Sequence, residues 1–185
     1  IDDYGWFHTG DLGEVTALGL RIICRVDGLF KLTNGEKVSS LLIENTLTGT
    51  SRFIEQAVII GAGREFIAAL IFPNFRNLRS WASEQGKGYE SLAEMLATSE
   101  LRELFAQEVE RQNAKLAASY CRVRAVAVVP KELTIESGEL TPSLKVVRSR
   151  ILEQYEDLVA AIYQQNGYDR KLESSIIRLT ATKCS

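Results

Sequence analysis

Two adjacent apolar runs do most to constrain what this chain can fold into. Residues 53–60 are rich in β-branched side chains and residues 66–72 are almost entirely apolar. Only Gly61-Ala62-Gly63-Arg64-Glu65 separates them. Runs of this length joined by a glycine-bearing loop read as paired strands. The Gly-x-Gly lacks the rest of a dinucleotide fingerprint, so it reads as a hairpin loop. A further strand is expected at residues 123–129.

Elsewhere the apolar spacing is helical. Leu42, Ile43 and Leu47 give a short helix over 40–47. Pro73-Asn74 opens a helix to about residue 85, closed by Gly86-Lys87-Gly88. Leu101, Leu104, Phe105, Val109 and Leu116 predict a helix over 100–118. Val147, Ile151, Tyr155, Leu158 and Ile162 predict a final helix over 143–164.

Two small hairpins precede all of these. Asp11-Leu12-Gly13-Glu14-Val15 returns through Leu18-Gly19 into Leu20-Arg21-Ile22-Ile23-Cys24. Leu29-Phe30-Lys31-Leu32 returns through Thr33-Asn34-Gly35-Glu36 into Lys37-Val38-Ser39. Asn-Gly is the strongest short hairpin signal. After Asn166-Gly167 the chain is polar and weakly patterned. The order of elements predicts an α+β fold, a small mixed β-sheet flanked by helices.

Composition removes several classes of function. Lys plus Arg is 22 and Asp plus Glu is 24 over 185 residues, a net charge of -2. A nucleic-acid binder would carry a basic excess. No apolar run approaches the roughly 18 residues of a transmembrane helix. One His and three Cys exclude a His-rich metal site, and no CxxC zinc ribbon is present, so no metal-ligating residues are assigned. Cys24, Cys121 and Cys184 are far apart and odd in number, which favours a reducing cytoplasm over a disulfide framework. They read as two small core hydrophobes and a tail thiol. The chain opens Ile1-Asp2-Asp3, with neither an initiator Met nor a signal peptide, and is expected to be a piece of something longer.

Three segments carry chemistry. In Gly10-Asp11-Leu12-Gly13 the flanking glycines leave room for a ligand to approach the carboxylate, which can accept from two vicinal hydroxyls of a ribose. A tight polar turn accounts for the same residues. Asp27-Gly28 lies between the two small hairpins, where backbone angles can change cheaply or where an ordinary turn suffices. Thr141-Pro142 resembles a helix N-cap and a first-turn proline. That would put Lys145 in the first turn of the last helix, where a cation opposes the dipole unless an anion is bound. A plain surface lysine is the other reading. Nearby Lys131 matches no motif.

Taken in order, these segments resemble the adenylate-forming superfamily, and within it the long-chain fatty acyl-CoA synthetase branch. Trp6-Phe7-His8-Thr9-Gly10-Asp11-Leu12-Gly13 is similar to that branch's W-F-H-T-G-D-[IL]-G. Leu29-Phe30-Lys31-Leu32 through Gly35-Glu36-Lys37-Val38 is similar to L-F-K-L-x-x-G-E-x-V, and Ile43-Glu44 to the I-E downstream. Gly138-Glu139-Leu140-Thr141-Pro142-Ser143-Leu144-Lys145 is similar to G-x-L-T-P-[ST]-x-K. The chain departs from the branch at Asp27, where Lys is frequent, and at Ser40-Leu41, where Pro-Glu is usual. The family's T-S-G-T-T-G-x-P-K-G phosphate loop has no counterpart here.

The resemblance implies a set of roles. Asp11 would bind the ribose hydroxyls of ATP, and Arg25 would contact the same nucleotide. Asp27 would be the hinge to a mobile C-terminal lid. Gly35 and Glu36 would line the pantetheine tunnel of CoA. Lys145 would bridge the acyl carboxylate and the α-phosphate. Residues 1–26 would end a large N-terminal domain, 27–165 would form the lid, and 166–185 a polar tail or linker. The substrates implied are Mg-ATP (hence Mg2+), a fatty acid and CoA, with the enzyme cytoplasmic or peripheral at a membrane. Alternatives are an acyl-AMP ligase that loads an acyl carrier protein, and a non-catalytic relative serving as an interaction module. Without the phosphate loop and acyl site, the piece alone is expected to be inactive. The strand at 20–24 would need covering, by the missing large domain, by the lid, or by a second copy through self-association.

Overall fold

The computed structural model describes residues 1–25, 28–88, 91–164 and 175–179. Its centre is a four-stranded sheet in the order β5-β6-β7-β8, made of β5 (Ile54–Ile60), β6 (Ile67–Pro73), β7 (Val123–Val128) and β8 (Ile176–Arg178). β5 and β6 are antiparallel, β6 and β7 parallel, β7 and β8 antiparallel, so the sheet is mixed.

The apolar runs are continuous because both faces of this sheet are covered. Along β6, Ile67, Ala69 and Ile71 enter one core while Ala68, Leu70 and Phe72 enter the other. β7 repeats the division, with Val126 and Val128 on the first face and Ala125 and Ala127 on the second. Each side chain of Leu, Ile or Phe size so buried contributes about 1.5–3 kcal/mol.

The first face is covered by α1 (Ser40–Thr48), α2 (Phe75–Glu84), α3 (Leu92–Leu96) and α4 (Ser99–Asn113). The hairpin of β3 (Leu29–Lys31) and β4 (Lys37–Ser39) adds Leu32 and Val38 to the same core. The second face is covered by α5 (Arg148–Gln154) and α6 (Glu156–Tyr163), through Ile151, Leu158, Ala161 and Ile162. Loop 61–65 packs on the small hairpin. Gly63 N–H donates to the Lys31 carbonyl at 2.9 Å and Thr33 N–H to the Arg64 carbonyl at 3.0 Å. A Cβ on Gly61 would stand 2.9 Å from the Phe30 ring, so that position needs glycine for closeness.

Three expectations are corrected, and one element was not foreseen. The helix predicted over 100–118 stops at Asn113, because the Asn113 amide turns to β7. Its Nδ2 donates to the Val123 carbonyl at 2.8 Å and its Oδ1 accepts the Val123 N–H at 2.9 Å. The helix predicted over 143–164 starts only at Arg148 and breaks at Tyr155 into α5 and α6. Residues 166–185 read as a polar tail, yet Ile176–Arg178 is the fourth strand of the sheet, where Ile176 and Ile177 are buried. The five-residue α3 carried too short a period to be seen.

Among the described residues, the first hairpin, β1 (Asp11–Thr16) and β2 (Gly19–Arg25), gives no side chain to either core. Ile1, Tyr4, Trp6, Phe7, Leu12, Val15, Leu18, Leu20 and Ile22 are all exposed. Of the cysteines, Cys121 is half-buried, and burial followed by the nearby Glu36 charge pushes its thiol up. The side chain of Cys24 and all of Cys184 lie outside the described residues.

Candidate functional site

Asp11 opens β1 and Arg25 closes β2, and the two are cross-strand partners. Hairpin register therefore places the two predicted nucleotide-contacting residues on one rung. Asp11 N–H donates to Thr9 Oγ1 at 3.1 Å. The preceding segment folds around Asp2, which accepts the Tyr4 N–H at 3.0 Å and the Trp6 N–H at 2.9 Å and pairs with His8 Nε2 at 2.8 Å. The Trp6 N–H first, then His8, hold the Asp2 carboxyl below its usual range. Asp27, the predicted hinge, lies outside the described residues.

Gly35 and Glu36 lie in the turn between β3 and β4. Gly35 has φ +85° and donates its N–H to the Leu32 carbonyl at 3.0 Å. Glu36 N–H donates to Asn34 Oδ1 at 3.1 Å, and the Glu36 carbonyl accepts the Leu32 N–H at 3.0 Å. The Asn-Gly turn is as expected.

Lys145 is not in a helix. It follows a tight reversal closed by an antiparallel bridge between Leu140 and Val146. Leu144 N–H donates to the Thr141 carbonyl at 2.8 Å, and Thr141 N–H to the Lys145 carbonyl at 2.8 Å. Thr141 Oγ1 accepts the Lys145 N–H at 3.0 Å. Pro142 thus serves as the second residue of a β-turn, a place that also suits its fixed φ, and not as a first helical residue. Leu144 then takes φ +59°. The motif cue was real, but turn and helix start make the same use of Thr-Pro. With α5 starting only at Arg148, no helix dipole opposes the Lys145 cation. What remains is an exposed side chain, and among the described residues nothing pairs with its ammonium.

Two anchors hold this turn, and sequence reasoning missed both. The first is Glu139, whose side chain has 0% exposure. Its Oε1 accepts from Lys131 Nζ and the Tyr155 hydroxyl, each at 3.1 Å. Its Oε2 accepts from Lys131 Nζ at 3.1 Å, the Thr134 N–H at 3.4 Å and the Ser137 hydroxyl. Its carbonyl accepts the Val147 N–H at 2.8 Å. Burial pushes the Glu139 carboxyl up, but the Ser137, Lys131 and Tyr155 hydrogen bonds and the Lys131 charge outweigh it and hold the acid below its usual value. Burial, then the Glu139 charge, pushes the Tyr155 phenol up. The second anchor is Arg148, which donates to the Ile59 carbonyl at 2.5 Å and pairs with Glu44. Glu44 in turn accepts the Ile59 N–H at 2.8 Å. The I-E motif residue thus ties the start of α5 to α1 and β5.

A groove of about 410 Å³ lies beside the Lys145 turn, lined by Phe72, Leu133, Leu140 and Leu144 among others. Another of about 340 Å³ runs past Gly28, Phe30, Ser40, Arg148 and Tyr163. Neither is lined by Asp11, Gly35, Glu36 or Lys145. Of the predicted site residues, Asp11, Gly35, Glu36 and Lys145 sit on exposed surface, in three patches that line neither groove. Among the described residues no group of three or more His, Cys, Asp or Glu gathers as a metal site, and no helix is long and apolar enough to cross a membrane.

Comparison with known proteins gives this arrangement a place. The long chain acyl-CoA synthetase 7, peroxisomal, of Arabidopsis thaliana is 29% identical over 180 residues, 95% of this chain and 25% of its own. The long-chain-fatty-acid–CoA ligase FadD15 of Mycobacterium tuberculosis is 32% identical over 164 residues, 87% of this chain and 27% of its own. The chain thus spans about a quarter of the length of these relatives. Among solved structures, the adenylation domain of a carboxylate reductase from Mycobacterium chelonae superposes with a TM-score of 0.69 at 26% identity, covering 88% of this chain and 24% of that one. The family model described as AMP-binding enzyme C-terminal domain matches residues 27–167, and the chain belongs to that family.

Proposed function

We propose that this chain is the lid-bearing part of an ATP-dependent long-chain fatty acid–CoA ligase. The enzyme would activate a fatty acid as acyl-adenylate and then pass the acyl group to the CoA thiol. The observation that carries the reading is the Lys145 turn, an exposed ammonium with no partner among the described residues, held by anchors in α1, β5 and the α5–α6 break. A carboxylate attacking the α-phosphate of Mg-ATP brings two anions together, and a fixed ammonium reduces their repulsion in the transition state. Asp11 and Arg25, on their shared rung, would take the ribose side of the nucleotide. Gly35 and Glu36 would border the path of the pantetheine arm.

The layout supports two half-reactions. The Gly35 turn belongs to the layer on one face of the central sheet and the Lys145 turn to the layer on the other. A single pose of the lid would offer one of them to a substrate, and rotation about Asp27 would offer the other. Residues 1–26 would be the end of the large domain, whose surface would cover the apolar hairpin, and 27–165 the moving lid. In the absence of that domain the hairpin would pair with a second copy.

The test is Lys145→Ala in the full-length enzyme. One charge pair at about 4 Å and effective dielectric of about 20 is worth roughly 4 kcal/mol, on the order of 10²–10³ in rate. Acid-dependent ATP–pyrophosphate exchange should fall by that factor, while thioester formation from supplied acyl-adenylate changes little. Lys87→Ala, at the end of α2 and paired with Glu100, is the control. Exchange within a few-fold of wild type would remove the lysine assignment.

In a second reading the acceptor thiol is that of an acyl carrier protein. Offering CoA and a holo carrier protein in parallel separates the two.

A further inference from the structure

Glu139 stands six residues before Lys145 in a motif that assigns it no role, yet it is a fully buried carboxylate with every acceptor site directed at a donor. Burying such a charge is costly unless it is paired and hydrogen-bonded. Its donors come from the segment after β7 (Lys131, Thr134), the turn at 135–138 (Ser137) and the break between α5 and α6 (Tyr155). The reversal that follows is held from outside by Glu139 on the second layer, by the Leu140 N–H on the Thr134 carbonyl at 3.0 Å, and by Arg148 on α1 and β5. Pro142, Ser143, Leu144 and Lys145 are exposed, and the bonds within 140–146 are local. Glu139 is where that local unit is fastened to the second layer of the fold.

Resting on the adenylation reading of Lys145, we propose that Glu139 is a positioning residue, whose buried carboxylate sets the orientation in which the turn delivers the Lys145 ammonium to the acyl–phosphate junction. Misplacement of a reacting group by about 1 Å can cost on the order of 10²-fold. Loss of the carboxylate charge releases the Lys131 ammonium and gives the donating Tyr155 hydroxyl a weaker acceptor in place of the carboxylate, so the turn loses its fixed tilt without losing its own hydrogen bonds.

The experiment uses the full-length enzyme carrying Glu139→Gln, a change that keeps the size of the side chain. Adenylation kcat should drop about 10–10²-fold with KM for ATP and acid within about threefold, since the loss is of alignment. Thioester formation from supplied acyl-adenylate should stay near wild type. Added to Lys145→Ala, Glu139→Gln should cost little more, because the group it aligns is gone. Tyr155→Phe keeps the ring against Phe72, 5.9 Å between centroids, and removes one donor. It should show the same pattern more weakly, and it decides alone if Glu139→Gln does not fold. Equal loss in both half-reactions, or an undiminished loss on the Lys145→Ala background, overturns the proposal. A crippled Lys145→Ala beside unimpaired Glu139→Gln overturns it alone. A normal Lys145→Ala overturns the adenylation reading, and this proposal with it.

Discussion

The turns that carry Gly35 and Lys145 are built alike and held differently. Each reverses the chain through one residue with positive φ, Gly35 at +85° and Leu144 at +59°. The Gly35 turn is a glycine in a glycine's conformation, closed by backbone bonds, and a Cβ there would meet nothing within 4 Å. The Lys145 turn puts a branched apolar residue where glycine is cheaper and stands on a buried carboxylate. A turn whose own sequence suits its geometry needs no external support. One whose sequence resists its geometry is stabilised by what lies beneath it.

Of the backbone and pH perturbations of the two turns, breaking the first turn should have the largest effect. Gly35→Val puts a β-branched residue at a φ that costs L residues roughly 1–2 kcal/mol and adds a side chain where the pantetheine arm would pass. In the full-length enzyme, acyl transfer to CoA should fall about tenfold or more, by the relation of 1.4 kcal/mol per decade, while pyrophosphate exchange holds. A matching loss in exchange would mean that the two turns do not divide the half-reactions.

The second turn can be weakened with acid. The Glu139 carboxyl is held below its usual value in the folded chain. Its contribution to stability is therefore complete above the ordinary carboxylate value, about pH 4.3, and is lost as pH falls below it through the lowered value. Urea midpoints of this chain measured downward through that range should fall more steeply than those of Glu139→Gln. Parallel curves would show that the carboxylate is not coupled to folding.

The smallest effect sharpens the contrast. Leu144→Gly relieves about 1–2 kcal/mol of left-handed strain but returns about 0.5–1 kcal/mol through the freer unfolded chain. Its melting temperature should stay close to that of the parent, and Leu144→Val should melt lower than both. A large drop for the glycine variant would show that the Leu144 side chain, and not the backbone, supports the turn.

The same contrast explains what was legible in the sequence. Asn34-Gly35 announced its hairpin because local chemistry and final geometry agree. The apolar, β-branched runs of β5, β6 and β7 were legible as strand because burial on both faces leaves them largely apolar. Thr141-Pro142 misled because a β-turn and a helix start use the same two residues, and only the distant Glu139 contacts decide between them. Ile176–Arg178 was missed because three residues carry almost no period, and their strand exists only through β7. Asn113 ended its helix early for a partner ten residues further on. Of the site, the motif residues could be named from sequence, while the anchors Glu139, Tyr155 and Lys131 could not. Their meaning lies in one shared buried contact that no spacing rule encodes.

The rung that joins Asp11 to Arg25 lies at the open end of the first hairpin, and five further rungs lead away from it to Thr16 and Gly19. At about 3.4 Å per residue the reversal is well over a nanometre from that pair. Leu18 at the tip is wholly exposed. A register shift between Leu12 and Gly13 sits next to that rung, so the ends of this segment are unequal. Deleting a residue from the regular stretch Glu14–Thr16 turns side chains over and moves Asp11 off the Arg25 rung. Lengthening the loop at Ala17-Leu18 leaves the rung intact, so a change at the tip does not disturb the pairing of Asp11 with Arg25.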